Sequence, residues 1–420
     1  MKLSQYTIVE EVDNEILLYN SVYSAIVLLT QSEFHDLQTF INNDNLEKTE
    51  LFSYLENQNI IVSDEIDEEA RLVSVANEKR YNPSQVTFTI APTMNCNFSC
   101  FYCYEQGFRQ HTMTTETAKK TAEFILKNVL PHQSLKVIWY GGEPLMGLNS
   151  IKVISEIIMK NEKKYKSFNA EIVSNGYLLT EKVAQLLKSY HVNYAQITLD
   201  GDQINHDSRR CLTNGKGTFA RILQNIVKTL KYIPVTVRVN IDRENNHEDV
   251  IRLMNSLDNF NLLKKVGFYL APVEDFDTYK TPTCYTSQEF SKEEIMVYKS
   301  LLERGINIVA IPRTTIGFCE AINRDDYVID PNGFLYKCWV HIGKTIGRVG
   351  DIYTGIQLNS VHKTFTEYKF FSKAKCSSCK VQPLCLGGCP LIRMNTGESK
   401  CVSYKYNIEE HIKMASARLI

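Results

Sequence analysis

Cys96, Cys100 and Cys103 lie within one short stretch, Asn95-Cys-Asn-Phe-Ser-Cys-Phe-Tyr-Cys-Tyr-Glu105. It directly follows Gln85-Val-Thr-Phe-Thr-Ile-Ala91, whose β-branched and aromatic residues predict a strand. The thiols therefore fall on a loop at the C-terminal end of a strand, where α/β folds place reactive groups. Three thiolates on one loop can ligate three irons of a cubane cluster and leave the fourth iron open to a small molecule. A zinc site normally draws four ligands in two pairs, and this loop has three cysteines and no histidine. A disulfide with a spare thiol would suit a secreted chain, for which nothing else in the sequence speaks.

From residue 85 to about 310 strand and helix patterns alternate. Helices are predicted over 115–129, 150–164, 180–189, 218–231 and 247–258. Between and after them come strands Leu135–Tyr140, Ala170–Ser174, Tyr194–Leu199, Val235–Ile241 and Val266–Ala271. Repeated βα units imply a parallel sheet with its reactive loops at one end. Residues 1–80 differ in texture. Tyr6–Val12 and Glu15–Asn20 predict a hairpin across Asp13-Asn14, and Ala25–Leu29 a further strand. Thr30 is positioned to cap a helix with Phe34, Leu37, Phe40 and Ile41 at helical spacing. A second helix over Leu46–Glu56 and a short strand at Ile60–Val62 complete a small winged-helix-like module. Ser63–Lys79 reads as an acidic linker with helical character.

Composition narrows the partners. The chain has 420 residues, 44% hydrophobic and 23% charged, with a net charge of −1. Two or three globular units are expected, and there is no electrostatic case for nucleic acid or an anionic membrane as main partner. The N-terminus has no signal-peptide core and no run reaches the ~18 apolar residues of a membrane span. A cytoplasmic protein is expected, and twelve cysteines in a reducing compartment point to metal or redox chemistry. Exposed clusters are oxygen-labile, so an anaerobic or microaerobic setting is expected as well.

The spacing C-x-x-x-C-x-aromatic-C, with Tyr102 as the aromatic, resembles the radical S-adenosylmethionine (SAM) enzymes. The resemblance implies a partial (β/α)6 barrel with a lateral opening for substrate. It also implies a 4Fe-4S cluster on Cys96, Cys100 and Cys103 whose open iron is chelated by the amino and carboxylate groups of SAM. One electron then splits SAM, and the 5′-deoxyadenosyl radical removes a hydrogen atom from the substrate. Gly141-Gly142-Glu143-Pro144 matches the family's motif for the SAM amino group, and Ser174-Asn175-Gly176 the ribose-contacting position. Thr198-Leu199-Asp200-Gly201 and His206-Asp207-Ser208-Arg209-Arg210 resemble a stretch of the peptide- and protein-modifying branch. Arg210 would pair with the SAM carboxylate. Asp200 is a candidate for substrate contact or proton handling and equally a turn residue beside Gly201. His206 reads as structural, while Arg238 and Asn240 either line the site or pack in the core.

The C-terminal cysteines, Cys319, Cys338, Cys376, Cys379, Cys385, Cys389 and Cys401, resemble the SPASM extension with two auxiliary 4Fe-4S clusters. By that pattern Cys376, Cys379, Cys385 and Cys401 would hold one cluster, and Cys319, Cys338 and Cys389 the other. Some relatives have a further cysteine shortly after the first; this chain has Asp325 and Asp326 there, so an aspartate ligand or an open iron is expected. Tyr327–Tyr336 predicts a hairpin around Pro-Asn-Gly. Cys211 and Cys284 read as ordinary thiols.

Three domains are thus expected: a leader-recognition module over 1–80, a radical SAM partial barrel over 85–310 and a SPASM domain over 311–420. The implied activity is crosslinking of a ribosomally made precursor peptide, through a thioether or a carbon–carbon bond. The implied partners are that peptide and an electron donor such as flavodoxin or ferredoxin. A sulfatase-maturing enzyme that makes formylglycine is the enzymatic alternative; a metal-binding scaffold or electron carrier is the non-catalytic one.

Overall fold

A computed structural model describes residues 1–43, 47–105, 107, 111–274, 276, 283–306, 311–314, 319–370 and 374–417. Its contacts group the chain into two compact units that cut across the three segments expected from sequence. One is Met1–Arg80 with Ser287–Cys319 and Tyr368–Ile420; the other is Tyr81–Thr286 with Glu320–Glu367. Among the described residues no helix is long and apolar enough to cross a membrane.

In the first unit β1 (Lys2–Leu3) is followed by the meander β2 (Thr7–Val12), β3 (Glu15–Asn20) and β4 (Ala25–Thr30). Asp13 and Asn14 turn the first hairpin with φ of 48° and 67°, the left-handed pair of a two-residue turn that matches strand twist. Thr30 caps α1 (Gln31–Ile41) in a capping box with Glu33. Next, α2 (Glu50–Asn57) starts later than expected because Thr49 takes the cap; Leu46 lies outside the described residues. Strand β5 (Ile61–Val62) pairs with β1. The stretch expected as a linker is α3 (Glu68–Tyr81), with acidic residues in its first turn and basic residues in its last, the order the helix dipole favours. Strand β3 is buried on both faces. Ile16 and Leu18 pack with Leu37, Phe40 and Leu55, whereas Leu17 and Tyr19 pack with Val381, Leu384, Ile408 and Ile412 from the C-terminal segment.

The second unit is built on one sheet. Strands β6 (Gln85–Ile90), β7 (Ser134–Trp139), β8 (Ser167–Ser174), β9 (Val192–Thr198), β10 (Val235–Ile241) and β11 (Gly267–Pro272) lie side by side in chain order, all parallel. The connecting helices are α4 (Thr115–Lys127), α5 (Leu148–Met159), α6 (Glu181–Ser189), α7 (Gln203–Arg209), α8 (Phe219–Thr229) and α9 (His247–Asn259). Each strand foreseen in the sequence is present, displaced by no more than a few residues, because β-branched runs bounded by caps specify them. The unforeseen α7 is capped by Asp202.

The predicted hairpin forms β12 (Tyr327–Ile329) and β13 (Phe334–Tyr336), continued by β14 (Arg348–Asp351) and β15 (Gly355–Ile356). Unforeseen is where it docks. Strand β12 lies parallel to β6, Tyr327 opposite Phe88, so the sheet runs on past its first core strand. β11 ends the sheet on one side and β15 on the other. Asp326 clamps this joint, accepting from the Thr87 amide at 2.7 Å and from Asn323 at 2.8 Å.

Candidate functional site

The C-terminal ends of the parallel strands surround a cavity of about 370 Å³, within the size range of small-molecule sites. Cys96, Cys100 and Cys103 line it together with Gly141, Gly142, Ser174, Asn175 and Arg210. The structure thus gathers residues from four loops that sequence reading had joined by motif alone.

The glycines are required where two loops touch. The loop after β7 runs against the residues just ahead of Cys96, Gly142 N donating to Thr93 O at 3.2 Å and Glu143 N to Asn95 O at 2.8 Å. A Cβ on Gly142 would lie 2.4 Å from the backbone oxygens of Met94 and Asn95, and one on Gly141 would lie 2.5 Å from Thr93 O. Neither clash is relieved by a side-chain movement, so only glycine fits.

Glu143 is fully buried and is already engaged. Its carboxylate accepts from Leu145 N at 3.1 Å, Ser174 Oγ at 2.9 Å and Asn175 N at 2.7 Å. Burial outweighs these donors and pushes the carboxyl up to about 7. Here it ties the loop after β7 to the loop after β8. Pro144 is the first residue of the short 3-10 helix that follows. The tie reaches the thiols, because Asn175 Nδ2 donates to Asn97 Oδ1 at 2.8 Å and approaches Cys96 Sγ at 3.9 Å. Phe98 N donates to the same sulfur at 3.4 Å.

Tyr102 is the centre of a polar network. Its hydroxyl receives hydrogen bonds from Arg210 Nη1 at 2.6 Å and Asn240 Nδ2 at 3.1 Å, and donates to Asp200 Oδ2. Asp200 is fully buried behind Tyr102 and is not among the cavity-lining residues. Its other oxygen accepts from Asn240 N at 3.2 Å, and Arg209 stands 3.5 Å away. The two adjacent arginines separate cleanly. Arg209 grips Asp242 with both terminal nitrogens, at 3.2 and 3.0 Å, whereas Arg210 faces the cavity. Arg210 Nε is buried without a hydrogen-bond partner among the described residues. His206 Nδ1 accepts from Asp200 N at 3.2 Å, which leaves Nε2 to donate to Thr218 Oγ1 at 3.0 Å. Burial, then the nearby Arg210 and Arg209 charges, hold its pKa well below the ordinary value, so it is a neutral structural residue.

Tyr104, Tyr140, Gln196, Phe276 and Trp339 also line the cavity and were not singled out in the sequence. The Tyr104 and Tyr140 hydroxyls are hydrogen-bonded, and the Tyr140 and Trp339 rings lie 4.4 Å apart. A signal existed for two of them, since Tyr104 and Trp339 each directly follow a motif cysteine. Of the two alternatives open at Arg238 and Asn240, the cavity wall is the one realised.

In the other unit Cys376, Cys379, Cys385 and Cys401 line one cavity of about 130 Å³, the same four residues that the SPASM pattern groups. Leu386, Gly387 and Gly388 all have positive φ, of 46°, 89° and 81°. This turn aims the Gly387 and Gly388 amides at the Cys385 sulfur, and Lys405 Nζ lies 3.7 Å from Cys379 Sγ. Donors of this kind suit a ligating thiolate. The remaining set is distributed over both units: Cys319 and Cys389 belong to one, Cys338 to the other. The expectation of an aspartate ligand finds Asp326 committed to the β6–β12 joint and Asp325 paired with Arg324 at 3.0 Å.

The donor chemistry fits a cluster with SAM at the first site. Three thiols line one cavity, N–H groups point at Cys96, and the Arg210 side chain belongs to the same cavity wall. Comparison with known proteins agrees. Residues 90–257 match the Radical SAM superfamily. Over 90% of this chain and 83% of its own length, the radical SAM cyclopropyl synthase TigE of Paramaledivibacter caminithermalis is 24% identical. The cysteine-type anaerobic sulfatase-maturating enzyme of Clostridium novyi is 24% identical over 76% of this chain and 92% of its own. Among solved structures, anSMEcpe with bound AdoMet superposes with a TM-score of 0.64 at 16% identity, covering 79% of this chain and all of that one. Streptococcus suis SuiB superposes with a TM-score of 0.55 at 15% identity, covering 96% and 98%. Residues 90–257 of this enzyme form a radical SAM domain.

Proposed function

We propose that this enzyme matures a ribosomally made precursor peptide, installing an intramolecular crosslink, a thioether ahead of a carbon–carbon bond. The observation that carries the reading is the pairing of two thiol sets in one chain: Cys96, Cys100 and Cys103 in the larger cavity and Cys376, Cys379, Cys385 and Cys401 in the smaller. Hydrogen abstraction alone needs only the first. Net oxidation to a crosslink must also remove a second electron, for which auxiliary clusters on a SPASM domain over 311–420 are suited.

When bound, the cluster and SAM supply the 5′-deoxyadenosyl radical. The chain's own residues do the rest. Arg210 offers a guanidinium nitrogen to the SAM carboxylate, and Ser174 and Asn175 contact the ribose. Gly141, Gly142 and Pro144 shape the loop for the amino group, with Glu143 holding these loops in register. Cys319, Cys338 and Cys389 would hold a third cluster, which would supply a further electron acceptor. Residues 1–80 read the leader, since β2 and β4 each pair only with β3 among the described strands and so offer edges for strand addition. A cytoplasmic flavodoxin or ferredoxin supplies electrons.

The likeness to SuiB, which has been solved bound to the precursor peptide SuiA, supports a peptide substrate. The name of TigE, a cyclopropyl synthase, supports the carbon–carbon alternative. A second reading, formylglycine formation, is supported by the likeness to the sulfatase-maturating enzymes, but the anSMEcpe superposition covers 79% of this chain against 96% for SuiB.

Anaerobically reconstituted protein with SAM and dithionite should release 5′-deoxyadenosine, and Cys103→Ala should not. Co-expression with a small cysteine-containing open reading frame encoded beside the gene should yield a peptide lighter by two hydrogens per crosslink. An aldehyde in place of a thiol would favour the second reading. Zinc and no 5′-deoxyadenosine would end both.

A further inference from the structure

The cavity has a second cation that the cofactor contacts leave unused. Arg238 lies on β10, with Val237 and Val239 fully buried on the opposite face of the strand and its own side chain in the cavity wall. Its position is fixed on two sides. Nε donates to Asn240 Oδ1 at 2.8 Å, and the guanidinium sits 5.9 Å from the centre of the Tyr269 ring. Tyr269 is itself held by a hydrogen bond to Gln196 Oε1 at 2.7 Å. Among the described residues Nη1 and Nη2 have no acceptor, and the side chain they end belongs to the cavity wall.

Asn240 connects this group to the cofactor end. Its Nδ2 donates to the Tyr102 hydroxyl, which also receives Arg210 Nη1. Arg210 and Arg238 are therefore linked through Tyr102 and Asn240, and each keeps guanidinium donors for a different guest. The buried Asp200 carboxylate behind Tyr102 lies at the Arg210 end of this network; Arg238 has no carboxylate partner among the described residues.

We infer that Arg238 is a substrate anchor that binds a carboxylate of the peptide, either an acidic side chain or a terminal carboxylate, and so selects which residue is presented to the cofactor. A planar fork with two free donors matches a carboxylate bidentately. The mounting by Asn240 and Tyr269 lowers the entropy lost on binding. The inference rests on the peptide reading above but is testable apart from it.

The test uses anaerobically reconstituted full-length enzyme with SAM. Binding is measured by equilibrium dialysis for acetylated pentapeptides containing cysteine and one variable residue, Asp, Glu, Asn or Gln, each with a free or amidated C-terminus, and for glutarate. We expect the carboxylate member of each pair to bind at least about tenfold more tightly than its amide. Arg238→Gln should erase that preference, and Arg238→Lys, which keeps the charge without the fork, should retain part of it. Preference for the side-chain or the terminal carboxylate identifies the source.

Equal binding of carboxylate and amide by the wild type, or a preference that survives in Arg238→Gln, overturns the inference. So does a loss of SAM affinity in Arg238→Gln larger than the loss of carboxylate preference, because Arg238 would then belong to the cofactor end. If glutarate binds through Arg238 and no peptide does, the anchor stands and the peptide reading falls.

Discussion

Glu143 allows a quantitative test of how the two cofactor loops are held together. Its carboxyl is fully buried and accepts three hydrogen bonds, yet burial raises its pKa from 4.5 to about 7. An acid whose folded pKa lies above its unfolded value binds more protons when folded. Its contribution to stability is complete below about 4.5 and is lost as the pH rises through about 7. The span of about 2.5 units corresponds to about 3 kcal/mol, at ~1.4 kcal/mol per unit. In Glu143→Gln the side chain cannot ionise, and its amide nitrogen meets the Asn175 N–H. One buried hydrogen bond is lost, at about 2 kcal/mol. At pH 5 the variant should therefore be the less stable by about 2 kcal/mol. At pH 8 the wild type has lost about 3 kcal/mol and the variant should be the more stable by about 1 kcal/mol. Anaerobic denaturant unfolding of both proteins, followed by circular dichroism at the two pH values, measures the gap. Glu320, also raised to about 7 by burial, titrates in both proteins and cancels in the difference. A gap that is the same at pH 5 and pH 8 would refute the argument that burial governs this carboxyl.

Three further outcomes follow from the geometry. Gly142→Ala forces a Cβ against the Met94 and Asn95 oxygens at 2.4 Å; SAM affinity measured by equilibrium dialysis should fall about tenfold or more. Cys379→Ser removes a wall of the four-cysteine cavity, and iron analysis should fall from about twelve to about eight per chain. Asn14→Val places a β-branched residue at φ 67° in the first hairpin; unfolding of the N-terminal unit should become easier by about 1–2 kcal/mol, measured by chemical denaturation.

The parts legible in the sequence were those written locally. The thiol spacing of Cys96, Cys100 and Cys103, the β-branched runs of the core strands and the cap at Thr30 each depend on neighbours a few residues away. The grouping of Cys376, Cys379, Cys385 and Cys401 was also legible, because the family pattern fixes their spacing. Whatever depends on a distant partner was not. Glu143 was legible only as part of a motif, and Ser174 and Asn175 supply it with donors that no local pattern reveals. Asp200 was a candidate for chemistry, yet Tyr102 and Arg209 enclose it. The helix over Glu68–Tyr81 has only a weak apolar stripe in its sequence; its buried Arg80 is recruited by Tyr368 O at 2.9 Å and the Phe370 ring, far along the chain.

The union of β12 with β6 sets an order of events on the ribosome. Asp326 and Thr87, hydrogen-bonded at this joint, are separated by 239 residues, which at a synthesis rate of about 5–20 residues per second is a wait of roughly 12–48 s. Throughout it, one rim of the strand that leads into the cysteine loop has its amides and carbonyls unmatched, a template for any other extended chain nearby. Translation that stalls short of Tyr327 would leave nascent protein with its metal-binding thiols displayed and its sheet unfinished, so production of intact enzyme depends on how quickly the 239 residues between Thr87 and Asp326 are read.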